Sequence, residues 1–408
     1  MRIHAFHALR PRPDLVARIA APPYDTVDTA EAAQLADGNP MSFLHINHSE
    51  IDLPSGTHPY ADEVYAKAAE NVAQFKQNGW LVREDRPLVF LYAQTMGAHT
   101  QTGLVCCAHI DDYIQDVIKK HEFTRKDKED DRTKHTATIN ANIGPVFIAY
   151  RDVDAIRQVL APIPGQTAPL YDFVDELQVR HQVWPVDNTA EVEKLFAEHV
   201  PVSYIADGHH RSASAVRVGA ERRAANPNHT GNEEYNWFLA VIFPASELQI
   251  LPYNRAVKNL NGLSPEEFLK EIRAIFTVTE EADPSPKSPC NISMYFGRKW
   301  YGLSWPEVKS TNPVDKLDVS TLQNGVLHPL LGIDDPRTSE RIQFVGGIRG
   351  TRELVRLVDE KGFAVAFSMY PTTVNQLMAI ADAGQIMPPK STWFEPKLRT
   401  GLLSHELD

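Results

Sequence analysis

The stretch that decides the fold of this chain is YIADGHHRSASA, residues 204–215. Residues 202–206 are short and apolar, which is typical of the end of a buried strand. Asp207 and Gly208 form a turn signal, and the alanine-rich run that follows predicts a helix ending before Pro227. The sequence therefore predicts a strand, a tight turn and a helix at this place.

The turn carries a carboxylate, two imidazoles and a guanidinium, in Asp207, His209, His210 and Arg211. A helix N-terminus favours an anion because its N–H groups are free and its dipole is positive there. Gly208 lets the backbone approach a ligand closely. Since carboxylates hold metal ions or take protons and cations clamp phosphate, this turn is a candidate phosphate site. A capped helix with merely exposed histidines is the alternative.

A second charged stretch covers residues 118–135, where Lys, Arg, Asp and Glu alternate rather than form blocks. Such a run is typical of a solvated helix face, but it also suits a phosphate-binding lid. In the second interpretation, Mg²⁺ is held through Glu122 or Asp127. The residues assigned to phosphate are Lys120, His121, Arg125, Lys128 and Arg132.

Composition excludes several classes of protein. The net charge of −12 and the pI near 5.7 argue against a nucleic-acid-binding protein. Three cysteines without zinc spacing favour a reducing cytoplasm, and the N-terminus has no signal-peptide pattern. Because no run of about 18 apolar residues exists, we expect no membrane span. The composition is compatible with a homo-oligomer and with a monomer.

Strands and helices alternate along the chain, which predicts an α+β (mixed α/β) fold of mixed sheets with flanking helices. We place a domain boundary near residue 200, with one intertwined domain as the alternative. Residues 1–200 then form an N-terminal α/β region that contributes the charged 120–135 loop. Residues 201–408 carry the phosphate-binding turn. Residues 39–46 predict a turn followed by a strand.

The Asp-Gly-His-His-Arg motif between a strand and a helix resembles the phosphate-binding signature of the ParB/sulfiredoxin-like superfamily. That superfamily includes ParB nucleotidases, sulfiredoxin and free L-serine kinases, so the resemblance implies a ParB/sulfiredoxin-like core. The whole chain also resembles domain of unknown function family 1015. The segments that carry this second resemblance are 21–25, 39–44, 120–132, 206–211, 251–255 and 387–392.

The superfamily resemblance implies a kinase that uses ATP or ADP and Mg²⁺ to phosphorylate free L-serine, giving O-phospho-L-serine. Small-molecule substrate and nucleotide are then the partners. Gly208, His210, Arg211 and the adjacent Ser212 are assigned to phosphate, and Asp207 and Glu122 to Mg²⁺. The candidate catalytic residues are Asp207, His209, Glu122 and Asp25. The candidate substrate contacts are Tyr24, Arg255 and Lys390.

Two other functions remain open at this point. One is a ParB-like regulator that uses a nucleotide as a switch, and the other is a nucleotide hydrolase or phosphatase. The chain has neither a Walker motif nor the signature set of protein kinases, so a kinase activity depends on the unusual turn. We expect His209→Ala or Arg211→Ala to abolish nucleotide turnover with little change in melting temperature.

Overall fold

The computed structural model describes residues 1–408. The chain divides into a first unit, residues 1–248 together with 396–408, and a second unit, residues 249–395. The boundary predicted near residue 200 therefore lies inside the first unit. The physical reason is strand pairing, because the strand at Ser203–Asp207 pairs with the strand at Val146–Tyr150 in one sheet.

Strands occur throughout the chain and are numbered in sequence order. They are β1 Ile3–His4, β2 Leu9–Pro11, β3 Leu81–Arg83, β4 Val89–Met96, β5 His99–His109, β6 Ile118–Lys119, β7 Ala141–Asn142, β8 Val146–Tyr150, β9 Tyr171–Val174, β10 Arg180–Val186, β11 Ser203–Asp207, β12 Trp237–Pro244, β13 Gln249–Leu251, β14 Tyr253–Val257, β15 Thr277–Glu280, β16 Asn291–Phe296, β17 Lys299–Ser304, β18 Ile342–Gly346, β19 Val365–Met369, β20 Trp393–Glu395 and β21 His405–Glu406.

The α-helices are numbered in the same way. They are α1 Val16–Ile19, α2 Thr29–Ala36, α3 Leu44–Asn47, α4 Asp62–Gln77, α5 Ile110–Ile114, α6 Lys126–Ile139, α7 Asp154–Leu160, α8 Ile163–Gln166, α9 Thr189–His199, α10 His209–Ala225, α11 Pro265–Ile275, α12 Asp318–Leu322, α13 Gly350–Lys361 and α14 Val374–Asp382. The mixed α/β class expected from the sequence is confirmed.

A nine-stranded mixed sheet organises the first unit. Its strands lie in the order β6-β11-β8-β12-β5-β4-β10-β9, and β1 pairs with β5. Most neighbours are antiparallel, but β11 runs parallel to β6 and β12 runs parallel to β8. The parallel pairing of β6 with β11 brings the chain after Lys119 to the same edge of the sheet as the turn after Asp207.

Apolar side chains cover this sheet and form its core. Strands β4 and β5 pair antiparallel and form a hairpin that turns after Met96. Cys106 and Cys107 are fully buried on β5 and are free thiols, as expected for core residues. Residues 39–46 were expected to be a turn followed by a strand, and the strand was wrong. Leu44–Asn47 instead forms α3, which buries Leu44 and Ile46 in a second apolar cluster.

The second unit is built on an antiparallel six-stranded sheet in the order β15-β17-β16-β19-β14-β18. Helix α13 packs on it through Leu354 and Leu357, which are buried. Helix α11 begins with the predicted cap, in which the Ser264 hydroxyl accepts from the N–H of Glu267. None of the helices in either unit combines the length and the apolar composition needed to span a bilayer.

Candidate functional site

The strand, turn and helix predicted around Gly208 are present. Strand β11 ends at Asp207, Gly208 has a left-handed conformation with φ +95°, and α10 begins at His209. A β-carbon at Gly208 would lie 3.0 Å from Cζ and Nε of Arg211. Glycine is therefore required both by the backbone conformation and by the guanidinium beside it.

Two helices begin side by side at this turn. The backbone N–H of Arg125, just before α6, donates to Nε2 of His210 in the first turn of α10, at 3.0 Å. Further along, Arg217 of α10 contacts Asp130 of α6 at 2.6 Å, and both far ends bond to Asp408. The helices are therefore parallel, and neither N-terminus has a side-chain cap. Their positive dipole ends reinforce each other at one place.

Asp207 sits between two cations. Its Oδ2 accepts from Nζ of Lys397 at 2.8 Å, and its Oδ1 lies 3.7 Å from Nη2 of Arg211. Burial acts to raise the pKa of Asp207, but the charges of Lys397 and Arg211 outweigh it and hold the pKa well below its usual range. Asp207 is thus an ionised carboxylate that positions cations, and it is a poor general base.

The sequence did not single out Lys397 as a functional residue. It lies 190 residues from Asp207 along the chain and reaches the turn because residues 396–408 return to the first unit. The stretch after Met387 carries two lysines, and Lys390 was expected to be the relevant one. Lys397 is the lysine of this stretch that bonds to Asp207.

His121 and His209 are buried against each other. Their exposed fractions are 2% and 6%, and their rings meet edge to face with centroids 4.5 Å apart. Burial lowers the pKa of His121 to about 4, and burial together with the nearby His121 lowers the pKa of His209 well below its usual value. Both imidazoles are therefore neutral near pH 7.

Glu122 follows His121 directly and is exposed. One ligand atom each from His121, Glu122 and His209 lie within 4.8 Å of one another. The sequence had paired Glu122 with Asp207 as ligands for Mg²⁺. In the structure the Asp207 carboxylate is paired with Lys397 and Arg211. Glu122 instead forms a candidate metal site with the imidazoles of His121 and His209.

Arg211 is anchored as well as charged. Its Nη1 donates to the carbonyl of Pro145, its Nε is buried without a partner, and its Nη2 lies 4.0 Å from Oδ2 of Asp25. Only 9% of the side chain is exposed. We therefore revise the expectation that Arg211→Ala leaves the melting temperature unchanged, because removal of this buried side chain opens a cavity.

Tyr24 and Asp25 lie beside the turn, as the extended Pro22-Pro23 segment suggested. The Tyr24 ring is covered by the Arg132 guanidinium at 4.2 Å, and Nε of Arg132 bonds to Asp131 at 2.7 Å. A cavity of about 30 Å³ lined by Tyr24, Arg132 and Arg211 has room for about one water molecule. A nucleotide at this turn would therefore bind on its open side.

Other residues predicted to contact phosphate have different surroundings. Nζ of Lys120 donates to the carbonyl of Tyr113 at 3.0 Å and lies over its ring. The Ser212 hydroxyl is fully buried and donates to the carbonyl of His209 at 3.0 Å. Nζ of Lys128 lies 5.2 Å from the centre of the Tyr60 ring, and the charge of Lys128 contributes to the lowered pKa of His210. Of these residues, only Lys128 keeps an electrostatic influence on the turn.

Arg255 and Lys390 belong to the second unit. Arg255 is buried, and its guanidinium donates to the carbonyls of Tyr253 and Lys390, the latter at 3.1 Å. It lines a cavity of about 330 Å³ together with Phe344 and Arg337. Burial lowers the pKa of Arg255 to about 10. The three residues predicted to contact substrate are thus divided between the units, since Tyr24 lies in the first.

The chain belongs to the family described as protein of unknown function (DUF1015), whose sequence model matches residues 3–320. The family expected from the sequence is therefore confirmed. No curated protein has a sequence similar enough to be recognised as a relative.

Several solved structures are distantly similar. A free serine kinase variant in complex with ADP has 13% identity and a TM-score of 0.36, covering 71% of this chain and 87% of that one. SbnI from Staphylococcus aureus, with a C-terminal truncation, has 11% identity and a TM-score of 0.38, covering 73% and 86%. A conserved hypothetical protein from Pyrococcus furiosus has 14% identity and a TM-score of 0.36, covering 73% and 95%. Similarity at this level establishes no shared activity.

Proposed function

We propose that the turn at residues 207–211 binds the phosphates of ATP or ADP and that the protein transfers a phosphoryl group to a small hydroxyl compound. The observation that carries this proposal is the meeting of two uncapped, parallel helix N-termini at the Arg125–His210 contact. Two such ends bring together N–H groups that lack intrahelical acceptors and add their dipoles, which favours a multiply charged anion. Because the chain as a whole is strongly acidic, an anion is attracted to this turn and not to the protein surface in general.

The side chains around the turn suit the roles that phosphoryl transfer requires. Gly208 leaves space for a phosphate against the backbone, and Arg211 supplies a rigid guanidinium. Asp207 holds Arg211 and Lys397 in place as a positioning residue. Asp25 and Glu122 are exposed carboxylates near the turn, and we assign the acceptor's hydroxyl proton to one of them.

L-Serine is the acceptor we propose first, because the Asp-Gly-His-His-Arg motif resembles that of free serine kinases. Mg²⁺ in nucleotide sites takes most of its ligands from phosphate and water oxygens. Its predicted ligand Asp207 already bonds to Lys397, so we assign Mg²⁺ no direct bond to Asp207. The ion would supply electrostatic stabilisation of the transferred phosphoryl group.

Phosphorus NMR of the full chain with Mg²⁺, ATP or ADP, and L-serine tests the proposal. A serine-dependent O-phosphoserine signal supports it. Nucleotide consumption that is independent of serine would make the protein a hydrolase. Binding without consumption would make it a nucleotide-dependent regulator. Absence of both binding and consumption would overturn the assignment of the turn.

A matched pair of glycine variants localises the activity. Gly208 and Gly231 both have φ +95°, so alanine causes similar backbone strain at either position. A β-carbon at Gly231 meets nothing within 4 Å, whereas one at Gly208 reaches the Arg211 guanidinium. We expect Gly208→Ala to weaken nucleotide binding about 10- to 100-fold and Gly231→Ala to leave it unchanged. Equal effects would show that the turn is not the binding site.

A further inference from the structure

Two nitrogen atoms of buried imidazoles near the turn have no hydrogen-bond partner. They are Nδ1 of His121 and Nε2 of His209. Buried polar atoms in native proteins nearly always have a partner, so an unpartnered pair in contact needs an explanation. The two rings are perpendicular with centroids 4.5 Å apart, and one nitrogen of each ring lies within 4.8 Å of one nitrogen of the other.

The hydrogen bonding of His121 leaves one nitrogen open to a ligand. The His121 ring has a backbone hydrogen bond with the carbonyl of Ile205. Because Nδ1 has no partner, this bond uses Nε2–H, and the lone pair of Nδ1 is free. Metal-bound histidines usually donate their second ring nitrogen to a carbonyl or carboxylate in this way.

Glu122 completes a set of three ligand atoms. One of its carboxylate oxygens and one nitrogen of each imidazole lie within 4.8 Å of one another. Glu122 is exposed, while the two imidazole rings are buried. His121 and Glu122 follow β6 and His209 begins α10, so the parallel pairing of β6 with β11 creates the set.

We propose that His121, Glu122 and His209 bind one divalent transition-metal ion of the Zn²⁺, Co²⁺ or Fe²⁺ class. Two imidazoles and one carboxylate suit these ions, whereas Mg²⁺ prefers oxygen ligands alone. Three protein ligands also leave coordination positions open to water or to a substrate atom, as in catalytic metal sites. This ion is distinct from the Mg²⁺ that accompanies a nucleotide, and its binding does not depend on the proposed phosphoryl transfer.

Titration of the metal-free full chain with Co²⁺ tests the proposal, because the visible absorption of Co²⁺ reports nitrogen ligands. We expect one equivalent to bind, Zn²⁺ to displace it, and millimolar Mg²⁺ to leave it in place. No nucleotide is needed, so failure here and failure of the kinase assay are separate results. Absence of stoichiometric Co²⁺ and Zn²⁺ binding, or displacement of Co²⁺ by Mg²⁺ at similar concentrations, would overturn the proposal.

Variants assign the ion to these residues. We expect Glu122→Gln, His121→Gln and His209→Gln each to weaken Co²⁺ binding by at least about 10-fold. His199→Ala, which removes an exposed histidine at the end of α9, is the control and should bind as the original chain does. Circular dichroism checks folding, and if a histidine variant unfolds, the exposed Glu122→Gln decides. Unchanged affinity in Glu122→Gln would contradict the assignment.

Discussion

Two clusters of buried histidines in the first unit differ in how their hydrogen bonds are satisfied. His181 has no exposed surface, and both of its ring nitrogens are bonded, Nδ1 to the hydroxyl of Tyr92 at 2.7 Å and Nε2 to Asp175 at 2.9 Å. His121 and His209 are nearly as buried, but each has a ring nitrogen without a partner. Burial is similar in the two clusters, and only the hydrogen bonding differs.

The C-terminal segment contributes to both clusters. Arg399, whose own Nη1 is buried without a partner, donates to Asp175 in the His181 cluster, and two residues earlier Lys397 donates to Asp207 in the other. A buried polar cluster in which every donor and acceptor has a hydrogen-bond partner stabilises the fold. A buried polar atom without a partner lowers stability unless a bound ligand supplies the partner.

The largest effect is expected for Arg399→Met in the His181 cluster. This change leaves the buried Asp175 carboxylate without its cation, which should lower the free energy of unfolding by about 3–5 kcal/mol. Arg180→Met is the control, because Arg180 and Asp172 form an exposed pair in which 51% and 37% of the side chains are accessible. Its loss should stay within about 1 kcal/mol. Urea unfolding measures both, and equal losses would remove the distinction between the pairs.

Replacing one histidine from each cluster by phenylalanine compares them directly. His181→Phe leaves Tyr92 and Asp175 each short of a partner, which should cost about 2–4 kcal/mol. His209→Phe breaks no bond at Nε2 and keeps a ring of similar size, so it should change stability by less than about 1 kcal/mol. Urea unfolding is the measurement for both. A large loss for His209→Phe would mean that its partner lies within the fold and not in a ligand.

The Asp318 carboxylate in the second unit is intermediate between the two clusters, because it accepts one backbone hydrogen bond but is not paired with a cation. Its Oδ1 accepts from the N–H of Cys290 at 3.0 Å, and burial raises its pKa to about 6. The folded state therefore holds the proton more tightly than the unfolded state. Its contribution to stability is complete below pH about 4 and is lost as the pH rises through 6.

Asp318→Asn should remove this pH dependence, since the amide oxygen keeps the bond to Cys290 and carries no charge. We expect the variant to match the original chain at pH 4 and to exceed its free energy of unfolding by about 2–3 kcal/mol at pH 7.5. Urea unfolding at the two pH values measures this. If the variant and the original chain differ in free energy of unfolding by the same amount at pH 4 and at pH 7.5, Asp318 does not titrate as proposed.

The smallest expected effect concerns the two lysines that the sequence had assigned to phosphate. Lys128→Ala should weaken nucleotide binding about 2- to 5-fold, because its charge acts on the turn from a partly solvated position. Lys120→Ala should leave binding unchanged, since its Nζ donates to Tyr113. Calorimetry at low and high salt checks this, and the Lys128 effect should shrink as salt increases. A larger effect at Lys120 would reverse the assignment.

Local signals predicted the backbone structure at the centre of the candidate site. Asp207 and Gly208 between an apolar run and an alanine-rich run specify the turn within a few residues, and the structure has it there. Turns and helix starts can be read this way because neighbouring residues determine them. The charged stretch after Lys119 was also correctly recognised as helical in one of its two interpretations, and α6 occupies it.

Contacts between distant residues could not be read from one sequence. The Lys397–Asp207 bond spans 190 residues, and the contact of His121 with His209 depends on β6 lying parallel to β11. Short apolar runs are also ambiguous between strand and helix, which explains the error at α3. The domain boundary was misplaced for a related reason, because only strand pairing shows which segments share a sheet.

The return of residues 396–408 to the first unit has a consequence for biosynthesis. At about 5–20 residues per second, a ribosome takes roughly 7–30 s to translate residues 249–395. Throughout that interval the emerging first unit has Asp207 but not Lys397, and Asp175 but not Arg399. Asp207 and Asp175 therefore lack these two cationic partners until residues 396–408 have been made.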